Sequence, residues 1–234
     1  MSAVHAARAA LDLGGCLLAR VAQLLQPFLG AAAHFLDAVA HFVGHLRRAL
    51  LDQLTDLVFS RGKITDVVVV VIPKSPTAIH LDMVFTQVDR DLCVVYPPYF
   101  VGPERVPVLH RRKGEAGVRE MPNFFAALRA VDLPLEPIFA GGDHRTTQDR
   151  EQWSSACNFL ALRPGTIVSY RRNYATLEAL KEGGFRVVPS SDFLAFDDWA
   201  EARHRIVITV DGSELARGGG GPRCMTLPLR RAPL

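Results

Sequence analysis

Apolar residues in positions 1–60 recur at three- and four-residue spacing, as in Val21, Leu24, Leu25 and Phe28, and this predicts helices broken near Pro27 and Gly30. From Ile64 the period changes. Val67–Ile72 is an unbroken β-branched run, which predicts a strand buried on both faces and stopped by Pro73. Two further strands are predicted over Asp82–Val88 and Leu92–Tyr96, joined at Asp89-Arg90-Asp91 and ended by Pro97-Pro98. The polar, basic stretch Gly102–Glu120 reads as a loop, Pro122-Asn123 opens a helix over Phe124–Val131, and a strand follows at Leu135–Phe139. After a connection over Gly141–Gln152 the order repeats. Strands Asn158–Leu162 and Thr166–Tyr170 flank the turn Pro164-Gly165, a helix over Thr176–Glu182 stops at Gly183-Gly184, and a strand occupies Phe185–Val188. A short acidic helix or loop over Asp192–Arg203, a strand over Ile206–Val210 and a last strand over Met225–Leu229 complete the pattern. A strand-strand-helix-strand unit thus occurs twice without a dinucleotide-binding glycine fingerprint, which argues for a repeated α/β architecture over a doubly wound sheet.

Composition sharpens one boundary. Positions 1–60 contain no Glu, Lys, Tyr or Trp, whereas all four occur afterwards, so residues 1–62 are set apart as a helical N-terminal segment from a second domain over 63–234. The chain of 234 residues, 49% hydrophobic and 22% charged, is long enough for a sizeable core and ordinary for a globular protein. A net charge of +3 with scattered arginines gives no reason to expect nucleic acid, and the runs Arg111-Arg112-Lys113 and Arg171-Arg172 read as solvated loop charges. Asp12, Arg20, Gln23 and Gln26 interrupt the apolar N-terminal stretch, so neither a membrane span nor a signal peptide is predicted, and a cytoplasmic setting is expected. Cysteines at 16, 93, 157 and 224 form no CxxC pair and are expected as free thiols. His41 and His45 have a helical metal-site spacing, but Phe42 stands where HExxH has its glutamate; they are read as a half-buried helix face, with His34, and no metal site is expected.

Candidate chemistry concentrates in two stretches. Gly218-Gly219-Gly220-Gly221-Pro222-Arg223-Cys224 ends a run of conformationally permissive residues at a cysteine beside an arginine, a pattern suited to presenting a reactive thiol. A free thiol is only a few per cent thiolate at neutral pH, so Cys224 needs a positive or hydrogen-bonding neighbour; His80 is the natural one, and Arg223 or a cationic substrate could also serve. His80 and Asp82, two apart at a predicted strand start, are expected to share one face.

Pro73-Lys74 with Ile79-His80-Leu81-Asp82-Met83-Val84-Phe85-Thr86, Arg150-Glu151-Gln152-Trp153 with Asn158, Gly212-Ser213-Glu214-Leu215, and Gly218 through Cys224-Met225 resemble, in order, motifs of the arginine deiminases, from about residue 63 to 231. These belong to a wider superfamily of guanidino-group-modifying enzymes that includes amidinotransferases. The resemblance implies an α/β fold, here an incomplete propeller of strand-strand-helix-strand blades, and a cytoplasmic hydrolase that converts arginine to citrulline and ammonia through a Cys224 thiouronium intermediate. It implies His80 as acid and base, Asp82, Arg217 and Gly221 at the substrate, a small guanidino molecule as partner, and no cofactor or metal. Exposed blade edges would favour self-association.

The resemblance has departures. A Glu-Gly-Gly-Asp motif expected ahead of the catalytic histidine is absent, Ala140-Gly141-Gly142-Asp143 follows His80 instead, and Gly219 stands where relatives often carry a loop arginine, with Arg217 two positions back. The N-terminal segment is read as covering a strand edge or, favoured by its composition, as an unrelated start fused to a second half. Alternatives to hydrolysis are therefore a catalytically impaired remnant that acts as a guanidino-binding or interaction domain and, less favoured, an amidinotransferase.

Overall fold

Alternating valines give the first strand one half-covered face. Among the described residues β1 (Asp66–Val70) pairs only with β4 (Val108–Arg112), antiparallel, and β4 pairs on its other side with β5 (Arg119–Met121). These assignments come from a computed structural model that describes residues 49–195, 204–212, 214–227 and 229, with backbone alone at 216 and 217. The chain divides into two units, Met1–Ile64 and Thr65–Leu234. In the first, residues 49–61 form a helix (α1). The predicted helices before it, and His34, His41 and His45, lie outside the described residues.

The second unit is mixed α/β and contains three small sheets among the described residues. One has the order β2-β3-β6, from β2 (Phe85–Gln87), β3 (Leu92–Val95) and β6 (Glu136–Phe139). Its central strand Leu92-Cys93-Val94-Val95 is buried along its whole length, as expected for a strand covered on both faces. Helix α2 (Pro97–Phe100) and helix α3 (Phe124–Ala130) pack here, with Phe124 seated 4.8 Å from Phe100 and 5.0 Å from Phe85 between ring centroids. Asn123 caps α3 by accepting the Ala126 N–H at 2.8 Å. Past α4 (Arg145–Trp153), the other mixed sheet has the order β7-β8-β10-β9, from β7 (Leu160–Arg163), β8 (Thr166–Tyr170), β9 (Arg186–Pro189) and β10 (Ile206–Val210). Ile167 and Val207 join the main core, whereas Ile206, Ile208 and Val188 form a smaller cluster with Val168 and Phe193, the last from α6 (Ser190–Ala195). Between β8 and β9 lies α5 (Tyr174–Glu182). Arg205 fastens the β2–β3 turn to this region, its Nε donating to Asp89 at 2.6 Å and its Nη2 to Asp91. No helix among the described residues is long and apolar enough to cross a membrane.

Several expectations need correction. The β-branched run is half-buried rather than buried on both faces, and its strand ends at Val70; among the described residues β1 pairs with β4 alone. Residues 81–83 form a 3-10 turn ahead of β2 instead of the first half of a strand. Pro97-Pro98 does follow the end of β3 as expected, but it also opens a helix, where missing N–H groups go unnoticed. The stretch read as the loop Gly102–Glu120 holds β4 and the start of β5: His110 is buried against Asp66 at 2.7 Å, and Arg112 donates to the same carboxylate, so this basic run is not simply solvated. Arg171 likewise pairs with Asp211 at 3.4 Å. The connection Gly141–Gln152 contains most of α4. Met225–Leu229 forms no strand among the described residues.

Candidate active site

Three features bring distant residues to one place. The 3-10 turn Leu81–Met83 follows His80, whose extended backbone (φ −136°, ψ 160°) precedes the turn that carries Asp82. His80 and Asp82 therefore reach a common cavity through a turn, not through strand alternation. That cavity, of about 390 Å³, is lined by His80, Asp82, Leu160, Arg223, Cys224, Thr226 and Leu227.

The turn is held from behind by α4, whose buried face is polar: Gln148, Glu151 and Gln152. Gln152 Nε2 donates to the carbonyl of Thr77 and, at 2.9 Å, to that of Met83, straddling the segment that bears His80 and Asp82. Glu151 accepts the N–H groups of Ala175 and Thr176, each at 2.9 Å, and the Thr176 hydroxyl at 2.7 Å, placing an anion at the start of α5 where free amides need one.

The glycine-rich stretch owes its composition to close approach. Gly221 is buried with its N–H on Asn158 Oδ1 at 3.0 Å, and a Cβ there would meet Asn158 atoms at 2.7–2.8 Å. Gly220 has φ +93° and lies so near Cys224 that a Cβ would come within 2.9 Å of the cysteine Cβ. The buried Tyr170 ring supports the stretch: its hydroxyl donates to Gly220 O at 3.3 Å, and Gly212 lies over it so closely that a Cβ would fall 2.2 Å from ring carbons. Burial, and secondarily Cys224, pushes the Tyr170 hydroxyl pKa up, so it remains a donor.

Cys224 is exposed, with its sulfur 4.0 Å from Met83 Sδ and its N–H on Asn158 Oδ1 at 3.1 Å. Asn158 also donates to the Asp82 carbonyl at 3.1 Å, so one buried side chain joins the thiol stretch to the carboxylate turn. Arg223, considered as a helper for Cys224, directs its Nε to Asp82 Oδ2 at 3.1 Å. Asp82 Oδ1 is buried and has no hydrogen-bond partner among the described residues, an unsatisfied acceptor on the turn that borders the cavity. Among the described residues no group of three or more His, Cys, Asp or Glu side chains is placed to hold a metal.

Of the residues singled out from sequence, His80, Asp82 and Cys224 line one cavity and Gly221 lies beneath it against Asn158. Arg217 belongs to the 3-10 turn Leu215–Gly218, and its side chain lies outside the described residues. The linking roles of Asn158, Gln152 and Tyr170 were not anticipated. Asn158 and Gln152 sit in the quoted motifs, and that was the only signal they gave.

Comparison with known proteins converges on one family. A profile of that family, described as arginine deiminase, matches residues 48–231. The arginine deiminase of Mycoplasma capricolum subsp. capricolum is 33% identical over 165 residues, covering 70% of this chain and 36% of that protein. The arginine deiminase of Lactococcus lactis subsp. cremoris is 37% identical over 173 residues, 72% of this chain and 37% of the relative. That of Latilactobacillus sakei subsp. sakei is 30% identical over 198 residues, 79% and 41% respectively. The chain thus spans 36–41% of the length of these relatives.

Proposed function

The chain belongs to the arginine deiminase family, and from that premise we propose that its cavity hydrolyses arginine, or a related guanidino compound, to citrulline and ammonia. The observation that carries this reading is a single cavity lined by the Asp82 carboxylate, His80 and an exposed Cys224. A planar, cationic guanidinium needs a carboxylate at its edge and a nucleophile over its face. The Asp82 carboxylate accepts a substrate N–H and the Cys224 thiolate attacks the guanidinium carbon. His80 gives a proton to the departing amine, which leaves as ammonia, and an S-bound thiouronium remains. His80 then takes a proton from water as the water oxygen adds to the same carbon, and collapse of the adduct expels the thiolate and releases citrulline. Arginine and water enter; citrulline and ammonia leave. General acid–base catalysis of this kind contributes about 10²–10⁴ in rate.

Gly221 serves by close packing that brings the thiol stretch to Asp82, and Arg217 is assigned to the far end of the substrate. The same reading takes the β2-β3-β6 and β7-β8-β10-β9 sheets with their helices as blades of an incomplete propeller, and assigns the protein to arginine breakdown in the cytoplasm. Self-association through open sheet edges accompanies it.

A second reading, guanidino binding without turnover, is favoured by Arg223 already occupying one Asp82 oxygen. Incubation with arginine separates the two. Hydrolysis predicts citrulline and ammonia in equal amounts, abolished in Cys224→Ser. Folded protein that binds arginine in calorimetry but yields no citrulline above a blank supports the second reading, and transfer of an amidino group to an added amine with ornithine release would identify an amidinotransferase.

A further inference from the structure

Asn158 is buried and makes three hydrogen bonds in two directions. Its Oδ1 accepts from Gly221 N–H at 3.0 Å and Cys224 N–H at 3.1 Å, while its Nδ2 donates to the Asp82 carbonyl at 3.1 Å. Acceptor and donor are both required, so neither Asp nor an apolar residue of similar size can replace it. The fit is tight: Asn158 fills the space in which a Gly221 side chain would lie, with its own Cβ and carbonyl O 2.7 Å from that position. Among the described residues no backbone ladder joins the two stretches, since Leu81–Met83 is a 3-10 turn and Leu215–Gly218 another, leaving this amide and the Arg223–Asp82 pair as direct ties between them.

We propose that Asn158 is a positioning residue that sets the separation of the Cys224 thiol and the Asp82 carboxylate, and so the placing of a guanidinium carbon over the sulfur. This rests on the reading that both groups meet one guanidino substrate. Its oxygen governs the nucleophile side and its NH₂ the carboxylate side. The two functions can therefore be separated by mutation.

In the full chain, amide exchange at Gly221 and Cys224 reports the first function, and arginine turnover and affinity report both. Asn158→Ala removes both tethers: the two amides should lose protection while those of β8 and β10 keep theirs, and kcat should fall about 10²-fold, as a displacement near 1 Å does. Asn158→Asp keeps the acceptor and loses the donor: the amides should stay protected while KM, or the calorimetric Kd, rises about tenfold. Gly221→Ala leaves Asn158 intact but pushes the stretch off it, and should reproduce the Asn158→Ala exchange pattern even where Asn158→Ala fails to fold. A purely structural role would lower the melting temperature of all three without this division between kcat and KM. Unchanged protection in Gly221→Ala, or lost protection with unaltered turnover, overturns the proposal. If the wild-type chain binds arginine without releasing citrulline, the hydrolase reading fails on its own. Amide exchange and arginine Kd then still decide for Asn158, and an unaltered Kd in all three variants counts against it.

Discussion

Asp82 meets Arg223 through one carboxylate oxygen only: Arg223 Nε lies 3.1 Å from Oδ2, and the buried Oδ1 has no partner among the described residues. A carboxylate with both oxygens open grips a guanidinium by two parallel bonds, whereas here one oxygen is held by Arg223 and the other is buried, so an incoming guanidinium competes with Arg223. Arg223→Ala is therefore expected to bind arginine more tightly, by up to about tenfold, and Asp82→Asn to weaken binding by at least that much, since one charge-assisted hydrogen bond is at stake. Calorimetry at fixed salt measures both. Weaker binding in Arg223→Ala would make Arg223 part of the seat itself.

The described cysteines differ sharply in access. Burial pushes the Cys93 thiol up to about 12, and Cys157, fully buried, is raised well above its usual value, while Cys224 is exposed. Brief iodoacetamide treatment at neutral pH should label Cys224 and spare Cys93 and Cys157 until denaturant is added, as read by peptide mass mapping. Early labelling of Cys157 would contradict this packing.

Glu151 satisfies three donors at the start of α5 from inside the protein. Glu151→Ala leaves them buried and unpaired and is expected to cost about 3 kcal/mol in urea unfolding, whereas Glu151→Gln, which keeps an acceptor, should cost less. A loss within experimental error for the alanine variant would show that water replaces the carboxylate readily.

Asp66 makes stability depend on acid. Arg112 first, then Thr65 and His110, hold its carboxyl at about 2 against an ordinary 3.8, with burial opposing them. A depressed folded pKa contributes stability that is fully present above the unfolded value and is lost as pH falls through the folded one. Asp66→Asn should therefore lower the melting temperature at pH 7, with the gap to wild type closing between about pH 4 and pH 2. A gap that is constant over this window assigns the effect to packing.

Legibility followed chemistry. Leu92–Val95 and Ile206–Val210 were readable because burial of strands leaves an apolar signature, and Asn123 marked its helix because a cap needs that side chain. Helix α4 was not readable: its only large apolar residue, Trp153, is exposed, and its inward face is Gln148, Glu151 and Gln152. β4 escaped because the inward His110 with Arg111 and Arg112 after it read as polar loop, although an Asp66 partner 44 positions away compensates the buried imidazole. Met225, Leu227 and Leu229 alternate as a strand would, yet all three are exposed, and Leu227 borders the cavity. The sequence singled out His80, Asp82 and Cys224, which line one cavity, but not the turn and tethers that bring them together. Turn and tether geometry depends on Gln152 and Asn158, whose amides leave no periodic trace.

The polar inner face of α4 has a consequence for the order of assembly. A helix that buries amides and a carboxylate gains little from hydrophobic collapse until the carbonyls of Thr77, Met83 and Gly142 and the amides of Ala175 and Thr176 are in place to meet it. Its docking is thus contingent on three other segments, and theirs on it. The His80–Asp82 turn, the 140s connection and the start of α5 should form and open as one cooperative unit, so the carboxylate wall becomes ordered in a single late step rather than residue by residue.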